Sequence, residues 1–326
     1  MLWSRAGKST LLRVFLGLVL LAIVLEIMAQ TFDLDHVLQA IARFPLGALS
    51  ILLIASFLVS VLKGARFHIL VRHVGIEISF WRTLRLFLAS QAATLIPAGE
   101  AIRGALLKQA TGATLGKVAG PVLGQAVYEI AAAAVIVLVA SLFYPELFIP
   151  AFVAVGVLCV LIWIVLHRQA FDYLLDILAN LPFVDKHFDR IKNGHEHVRH
   201  NFALLEQGGF DRHVLGAVGL SVLAQLMGGV LVLIAAHTFD VSINFFQATL
   251  VYASGALLQG VFTIIPGGLG VTEGGMSGVL HLLGINLSLA LALVIIIRVA
   301  TLLFPVVFGF LIFCVFDAKH MLIRKS

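Results

Sequence analysis

The chain of 326 residues is 61% hydrophobic and only 12% charged, and its mean hydropathy is +1.07. These values exclude a soluble globular domain and indicate a polytopic membrane protein. The net charge of +5 comes from clusters of Lys and Arg placed between apolar runs, so these clusters are interpreted as membrane-topology signals and no nucleic-acid partner is expected.

Apolar runs of about the length needed to cross roughly 30 Å of hydrocarbon recur along the whole chain. They are continuous and lack a period of two, which predicts helices rather than barrel strands. The first run is followed by no small-residue cleavage site, so it is interpreted as a transmembrane helix and not a signal peptide. The runs cover residues 14–29, 46–62, 121–143, 147–166, 214–236 and 287–316.

Two further apolar segments, residues 80–111 and 245–283, are interrupted at "LIPAGE" and "IIPGGLG". Proline removes a backbone donor and glycine permits turns that other residues resist, so each segment is predicted to break and restart as a helix. Unwound backbone is tolerated at membrane depth where it is buried in protein or faces a watery cavity. The breaks therefore predict a cavity, towards which the helices restarting near Ala101 and Val271 direct the positive ends of their dipoles.

The distribution of Lys and Arg predicts that both termini lie in the cytoplasm. This threading requires each broken segment to return to the side from which it entered, either as a re-entrant hairpin or as a pair of short spans. Residues 168–212 are predicted to form amphipathic helices at the cytoplasmic surface. His195, His197 and His200 lie there without a regular ligand frame, and a solvated helix face is favoured over a metal site. No metal or other cofactor is predicted.

An internal repeat relates the two broken segments. "TLIPAGE" matches "TIIPGGL" and places Pro97 against Pro266, and without gaps Glu129 then meets Arg298, each 32 residues past its proline. We predict two repeats of inverted topology, residues 46–143 and 213–316, in one integral membrane domain covering residues 1–326. The fold class is all-α, with about six full spans and two broken or re-entrant hairpins.

Charged residues near the breaks are candidates for substrate binding, each with a structural alternative. Glu100 and Glu273 lie in the first turn of a restarted helix, where a carboxylate also acts as a cap. Glu129 and Arg298 are predicted to lie near the middle of a membrane helix, where a charge costs at least about 3 kcal/mol. Two interpretations stay open: they bind substrate, or they form ion pairs with each other or with other buried charges. Arg103, and also Lys63 with Arg66, are interpreted as topology signals able to attract anionic headgroups. The turn residues Pro266, Gly267, Gly268 and Gly270 complete the candidate site.

The motifs resemble those of a known family. "IIPGGLGVTEGGMSGVL" followed by "ALVIIIRVATLLFP" is similar to the second-half signature of the flippase-like membrane domain of lysylphosphatidylglycerol synthases, and "LIPAGEAIRGALLKQATG" to the first-half signature. Relatives often carry Glu-Arg in the helix after the first break, where this chain has Tyr128 and Glu129. Synthase members also carry a soluble aminoacyltransferase domain. A chain of 326 residues has no room for this domain beside the membrane segments, so it is expected to be a stand-alone member.

The resemblance implies a flippase or transporter that moves a polar-headed lipid across the inner membrane. The cargo would be an anionic or aminoacylated phospholipid, or a polyprenyl or hopanoid-type lipid. The residues themselves leave open a secondary transporter of a small organic ion and, less favoured, a membrane-embedded lipid-modifying enzyme. We expect no enzyme, because the Asp-rich motifs of prenyltransferases and the Asp-Gly-Ala-Arg pattern of phospholipid-alcohol transferases are missing. "AGKST" lacks the first glycine of a P-loop.

Overall fold

The structure, a computed structural model, describes residues 41–95, 99–167, 212–261 and 266–315 and the isolated positions 39, 169, 172 and 173. These residues form helices and turns, with no strand among them. Three predicted features lie outside them: the first span at residues 14–29, the proline of the first break, Pro97, and most of the amphipathic segment, including its three histidines.

The first half contains one long helix, a broken pair and a second long helix. They are α1 (Leu46–His73), α2 (Phe80–Ser90), α3 (Glu100–Thr111) and α4 (Leu115–Ser141), and α5 (Pro145–Leu166) follows. The broken segment predicted over residues 80–111 therefore begins and ends where α2 and α3 do.

The second half repeats this order. It contains α6 (Arg212–Thr238), α7 (Phe245–Val261), α8 (Val271–Leu282), α9 (Leu287–Arg298) and α10 (Phe304–Val315). A short 3₁₀ turn, Pro266–Gly268, lies in the break between α7 and α8. A π-helical turn, Val299–Leu303, joins α9 to α10 without interrupting the long helix. This turn was not predicted from the sequence.

Helix lengths separate the spans from the broken pairs. Within the described residues, four helices are long and apolar enough to cross a membrane: α1, α4, α6 and the continuous α9–α10. The protein is thus an integral membrane protein. The broken arms α2, α3, α7 and α8 contain 11, 12, 17 and 12 residues. At 1.5 Å per residue they measure about 16 to 26 Å, less than the hydrocarbon core.

Helix α1 corrects one prediction. The sequence assigns its span to residues 46–62 and treats Lys63 and Arg66 as solvent-facing topology signals. The helix continues to His73 without interruption, and the Arg66 side chain is only 1% exposed. The interpretation was wrong because a partly buried carboxylate from another helix, Glu129, stabilises both cations within the protein.

Glycine residues allow the helices of the two halves to approach closely. A Cβ at Gly309 of α10 would lie 2.5 Å from the carbonyl oxygen of Leu88 and 2.8 Å from the amide nitrogen of Ala92, both near the end of α2. A Cβ at Gly260 would lie 2.4 Å from the side chain of Ile130 on α4. The first arm of each broken segment therefore packs against a long helix of the opposite half, α2 against α10 and α7 against α4. Helix α1 packs along α6.

Candidate functional site

The second break is built by three glycines with positive φ angles. Gly267, Gly268 and Gly270 have φ values of 63°, 64° and 83°, in a region that residues with a Cβ rarely adopt. Helix α8 begins directly afterwards, and the carboxylate of Glu273 accepts a hydrogen bond from the backbone N–H of Gly270 at 2.6 Å. The predicted capping role of Glu273 is confirmed.

Glu273 also forms an ion pair with Arg298. The Arg298 Nε donates to Oε1 of Glu273 at 2.5 Å, and Nη2 donates to the backbone carbonyl of Gly267. Each side chain is 11% exposed. Arg298 therefore joins the end of α9 to the unwound backbone of the break.

Glu129 on α4 pairs with two cations of α1. Its carboxylate accepts hydrogen bonds from Lys63 Nζ and, at 2.9 Å, from Arg66 Nη2. Arg66 also donates to the side chains of Gln125 and Ser221, at 3.0 and 2.9 Å. Of the alternatives left open by the sequence, Glu129 and Arg298 do not pair with each other, and each pairs with other charged residues inside the protein.

Arg103 lies in the first turn of α3 and points into the protein instead of towards the surface. It is 7% exposed, and its guanidinium contacts the faces of Phe67 and Phe87. Its Nε donates to Ser90 Oγ at 3.1 Å and Nη2 to Gln91 Oε1 at 3.4 Å. Its interpretation as a topology signal at the surface was therefore wrong. The cation is held by neutral groups.

A cavity of about 300 Å³ connects these groups between the two breaks. Five candidate residues line it: Glu100, Arg103, Glu129, Gly267 and Arg298. Glu273 reaches the cavity through its ion pair with Arg298. Gly268 and Gly270 shape the turn without forming the cavity wall, and for Pro266 the structure describes the backbone alone.

Several polar residues of the cavity were missed by the sequence analysis. They are Lys63, Ser90, Gln91, Thr94, Gln125, Tyr252, Gln259, Thr272 and Thr301. A local signal existed for Lys63, because Ile69, Leu70 and Val71 extend the apolar run beyond it and favour a continuing helix. The uncharged residues gave no such signal, since a single polar side chain in an apolar helix does not indicate which helix it faces.

The family comparison extends over both halves of this arrangement. The family model described as the lysylphosphatidylglycerol synthase TM region matches residues 12–309. The chain belongs to this family. The match includes both breaks and all residues of this chain that line the cavity. Among curated proteins and among solved structures, no significant match to the chain was found.

Proposed function

We propose that the protein is a lipid flippase that moves a polar-headed lipid between the leaflets of the inner membrane. The observation that carries the proposal is the cavity, which places Lys63, Arg103, Glu129 and Arg298 inside a bundle of apolar helices, while the exposed Glu100 also contributes to its lining. Charged groups at membrane depth are costly and are found mainly where they serve a transport path or an ion pair. Family membership supports a lipid-related role.

The architecture we propose consists of two inverted repeats with both termini in the cytoplasm. About six full spans are complemented by two re-entrant hairpins, α2–α3 and α7–α8, whose arms are shorter than the hydrocarbon core. Reciprocal packing supports this arrangement, because the first arm of each hairpin contacts the long helix of the other half.

Two hydrogen bonds add further support for the repeat. Ser56 and Gln225 lie 169 positions apart, as do Pro97 and Pro266. The Ser56 hydroxyl donates to the backbone carbonyl of Ala300 at 2.6 Å, and the Gln225 amide donates to the backbone carbonyl of Glu129 at 3.3 Å. Each half thus contacts the long helix of the other at nearly equivalent positions, as expected for two related halves facing each other.

In the proposed mechanism the headgroup enters the cavity while the acyl chains remain in the membrane. The main cost of crossing is desolvation of the headgroup, which polar protein groups offset by replacing its water. The positive ends of α3 and α8 and the buried cations favour an anionic group. No covalent step and no nucleotide are required, so the proposed function is not enzymatic and uses no cofactor.

A second candidate is a secondary transporter of a small organic ion. The volume of about 300 Å³ favours it, since this lies at the lower end of the range for small-molecule pockets, roughly 300 to 1,000 Å³. In that case the whole substrate would occupy the cavity, and lipids would not exchange between leaflets.

Reconstitution into liposomes tests the proposal. Vesicles containing fluorescent anionic, zwitterionic, aminoacylated and polyprenyl lipids are treated with a membrane-impermeant quencher, in the absence of ATP. We expect the inner-leaflet label of at least one lipid to become accessible faster than in protein-free vesicles, with its mass unchanged. Rates equal to those of protein-free vesicles for every lipid would refute the flippase, and a lipid of changed mass would favour an enzyme.

A further inference from the structure

Most buried cations around the cavity already have a carboxylate partner. Lys63 and Arg66 share Glu129, and Arg298 pairs with Glu273. Arg103 differs: among the described residues no carboxylate lies within ion-pair distance of its guanidinium. The carboxylates of Glu100 and Glu129 act on Arg103 only from beyond that distance, and a buried charge without a close counterion is costly, which favours a ligand of opposite charge.

Thr272 on α8, which also lines the cavity, has a hydroxyl group with unused hydrogen-bonding capacity. The residue is 4% exposed and lines the cavity, and its hydroxyl oxygen has no hydrogen-bond partner among the described residues. A buried hydroxyl without a partner destabilises the protein unless a ligand or water satisfies it. Thr272 therefore gives a second observation, independent of the charge of Arg103, that the cavity wall receives a polar ligand.

The two residues occupy matching places in the two halves. Arg103 lies six residues past Pro97, and Thr272 lies six residues past Pro266. Each belongs to the first turn of the helix that follows its break, α3 or α8. Both helices contain 12 residues and direct unpaired N–H groups towards their N-terminal ends.

We propose that Arg103 and Thr272 form a subsite for a tetrahedral oxyanion, such as a phosphate group. The guanidinium presents paired N–H donors that match two oxygens of a phosphate, and the hydroxyl of Thr272 donates to another. Arg103 is assigned this role rather than Arg298, because the charge of Arg298 is already neutralised by Glu273 and its Nη2 donates to the Gly267 carbonyl. For a lipid phosphate, this inference rests on the proposed flippase function, whereas binding of free phosphate does not.

Binding measurements on the purified full chain test the subsite. Calorimetric titrations would use three probes: inorganic phosphate, a short-chain phosphatidylglycerol and a short-chain glucosyl diacylglycerol that lacks phosphate. The variants are Arg103→Gln, Arg103→Lys, Thr272→Val and Thr272→Ser. Thr249→Val is the matched control, because Thr249 is 3% exposed, lies outside the cavity lining and already donates its hydroxyl to the carbonyl of Phe245.

We expect the phosphate-containing lipid to bind more tightly than the glucosyl lipid. Arg103→Gln should weaken it about tenfold or more, and Thr272→Val about three- to tenfold, since a guanidinium–phosphate ion pair contributes more than a hydrogen bond from a neutral hydroxyl. Thr272→Ser and the Thr249→Val control should bind like the parent, and Arg103→Lys should lie between parent and Arg103→Gln. Arg103→Lys and Thr272→Val are conservative enough to decide the question even if Arg103→Gln fails to fold.

Combining these titrations with the liposome assay separates the possible failures. Lipid exchange without preference for phosphate, unchanged by Arg103→Lys and Thr272→Val, would leave the flippase standing and overturn the subsite. Binding of inorganic phosphate that depends on Arg103, without lipid exchange, would support the subsite with free phosphate as ligand and reject the flippase. Absence of both phosphate binding and lipid exchange would reject both.

Discussion

Replacing Glu129 by Gln is expected to destabilise the protein more than removing one of its cationic partners. In the parent protein one carboxylate serves two cations, Lys63 and Arg66, so the cluster carries a net charge of +1. Glu129→Gln leaves both cations without a counterion, whereas Lys63→Met leaves the Arg66–Glu129 pair intact. Both variants remove one charge from the same cluster: Glu129→Gln raises its net charge to +2, and Lys63→Met lowers it to 0.

The size of the effect follows from burial. Breaking a buried ion pair by removing one partner costs about 3 to 5 kcal/mol. The Glu129 side chain is 24% exposed, towards the cavity, so we expect the lower end, about 3 kcal/mol. Lys63→Met should cost about 0 to 1 kcal/mol, because Lys63 is 21% exposed and its loss leaves a neutral pair.

Equilibrium unfolding in mixed micelles, with increasing SDS, measures these free energies. The double variant Lys63→Met, Glu129→Gln should be more stable than Glu129→Gln alone, since a single cation then remains without a counterion, and the two effects should not add. The reasoning is refuted if Glu129→Gln unfolds like the parent, or if Lys63→Met is the more destabilising single variant.

Four further predictions follow from the breaks and the packing. Gly268→Val should abolish transport and lower stability, since its φ is 64° and a Cβ there would lie 2.5 Å from the Thr272 hydroxyl, whereas Gly274→Ala, with open space around it, should leave transport unchanged. Gly309→Ala should cost about 1 to 3 kcal/mol in the same unfolding assay, because the clash is with backbone atoms, and the exposed Gly156→Ala should not destabilise the protein. Glu273→Gln should slow lipid exchange by weakening the bond to Arg298, while Glu146→Gln, an exposed first-turn carboxylate, should exchange lipid at the parent rate. With Cys159 and Cys314 replaced by Ala, single cysteines at Asn244 and Asn286 should react with an impermeant thiol reagent from one side and a cysteine at Asn193 from the other, and reaction of all three from one side would contradict the inverted topology.

The breaks were predictable from sequence because their causes are local. At both breaks a proline and the glycines that follow it remove a backbone donor and permit turns, so the starts of α3 and α8 and the capping by Glu273 were predictable from the local sequence. The cavity was likewise predicted, since unwound backbone at membrane depth requires one.

The ion pairs were not predictable because their partners are distant in the chain. Lys63 and Glu129 are 66 positions apart, and a rule that counts cations near helix ends cannot distinguish a cytoplasmic lysine from one that pairs inside the bundle. The burial of Arg103 between Phe67 and Phe87 likewise depends on packing between separate helices rather than on a local signal.

The most direct test of the account is to ask which part of a lipid occupies the cavity. A small photoreactive amino acid would be placed at Ala126, which lines the cavity on α4, and for comparison at Val160, which is 55% exposed on α5. After irradiation in liposomes, mass spectrometry locates the cross-link within the lipid. We predict attachment to the headgroup at position 126 and to the acyl chains at position 160. Attachment to acyl chains alone at position 126, or no lipid adduct there, would contradict headgroup passage through the cavity.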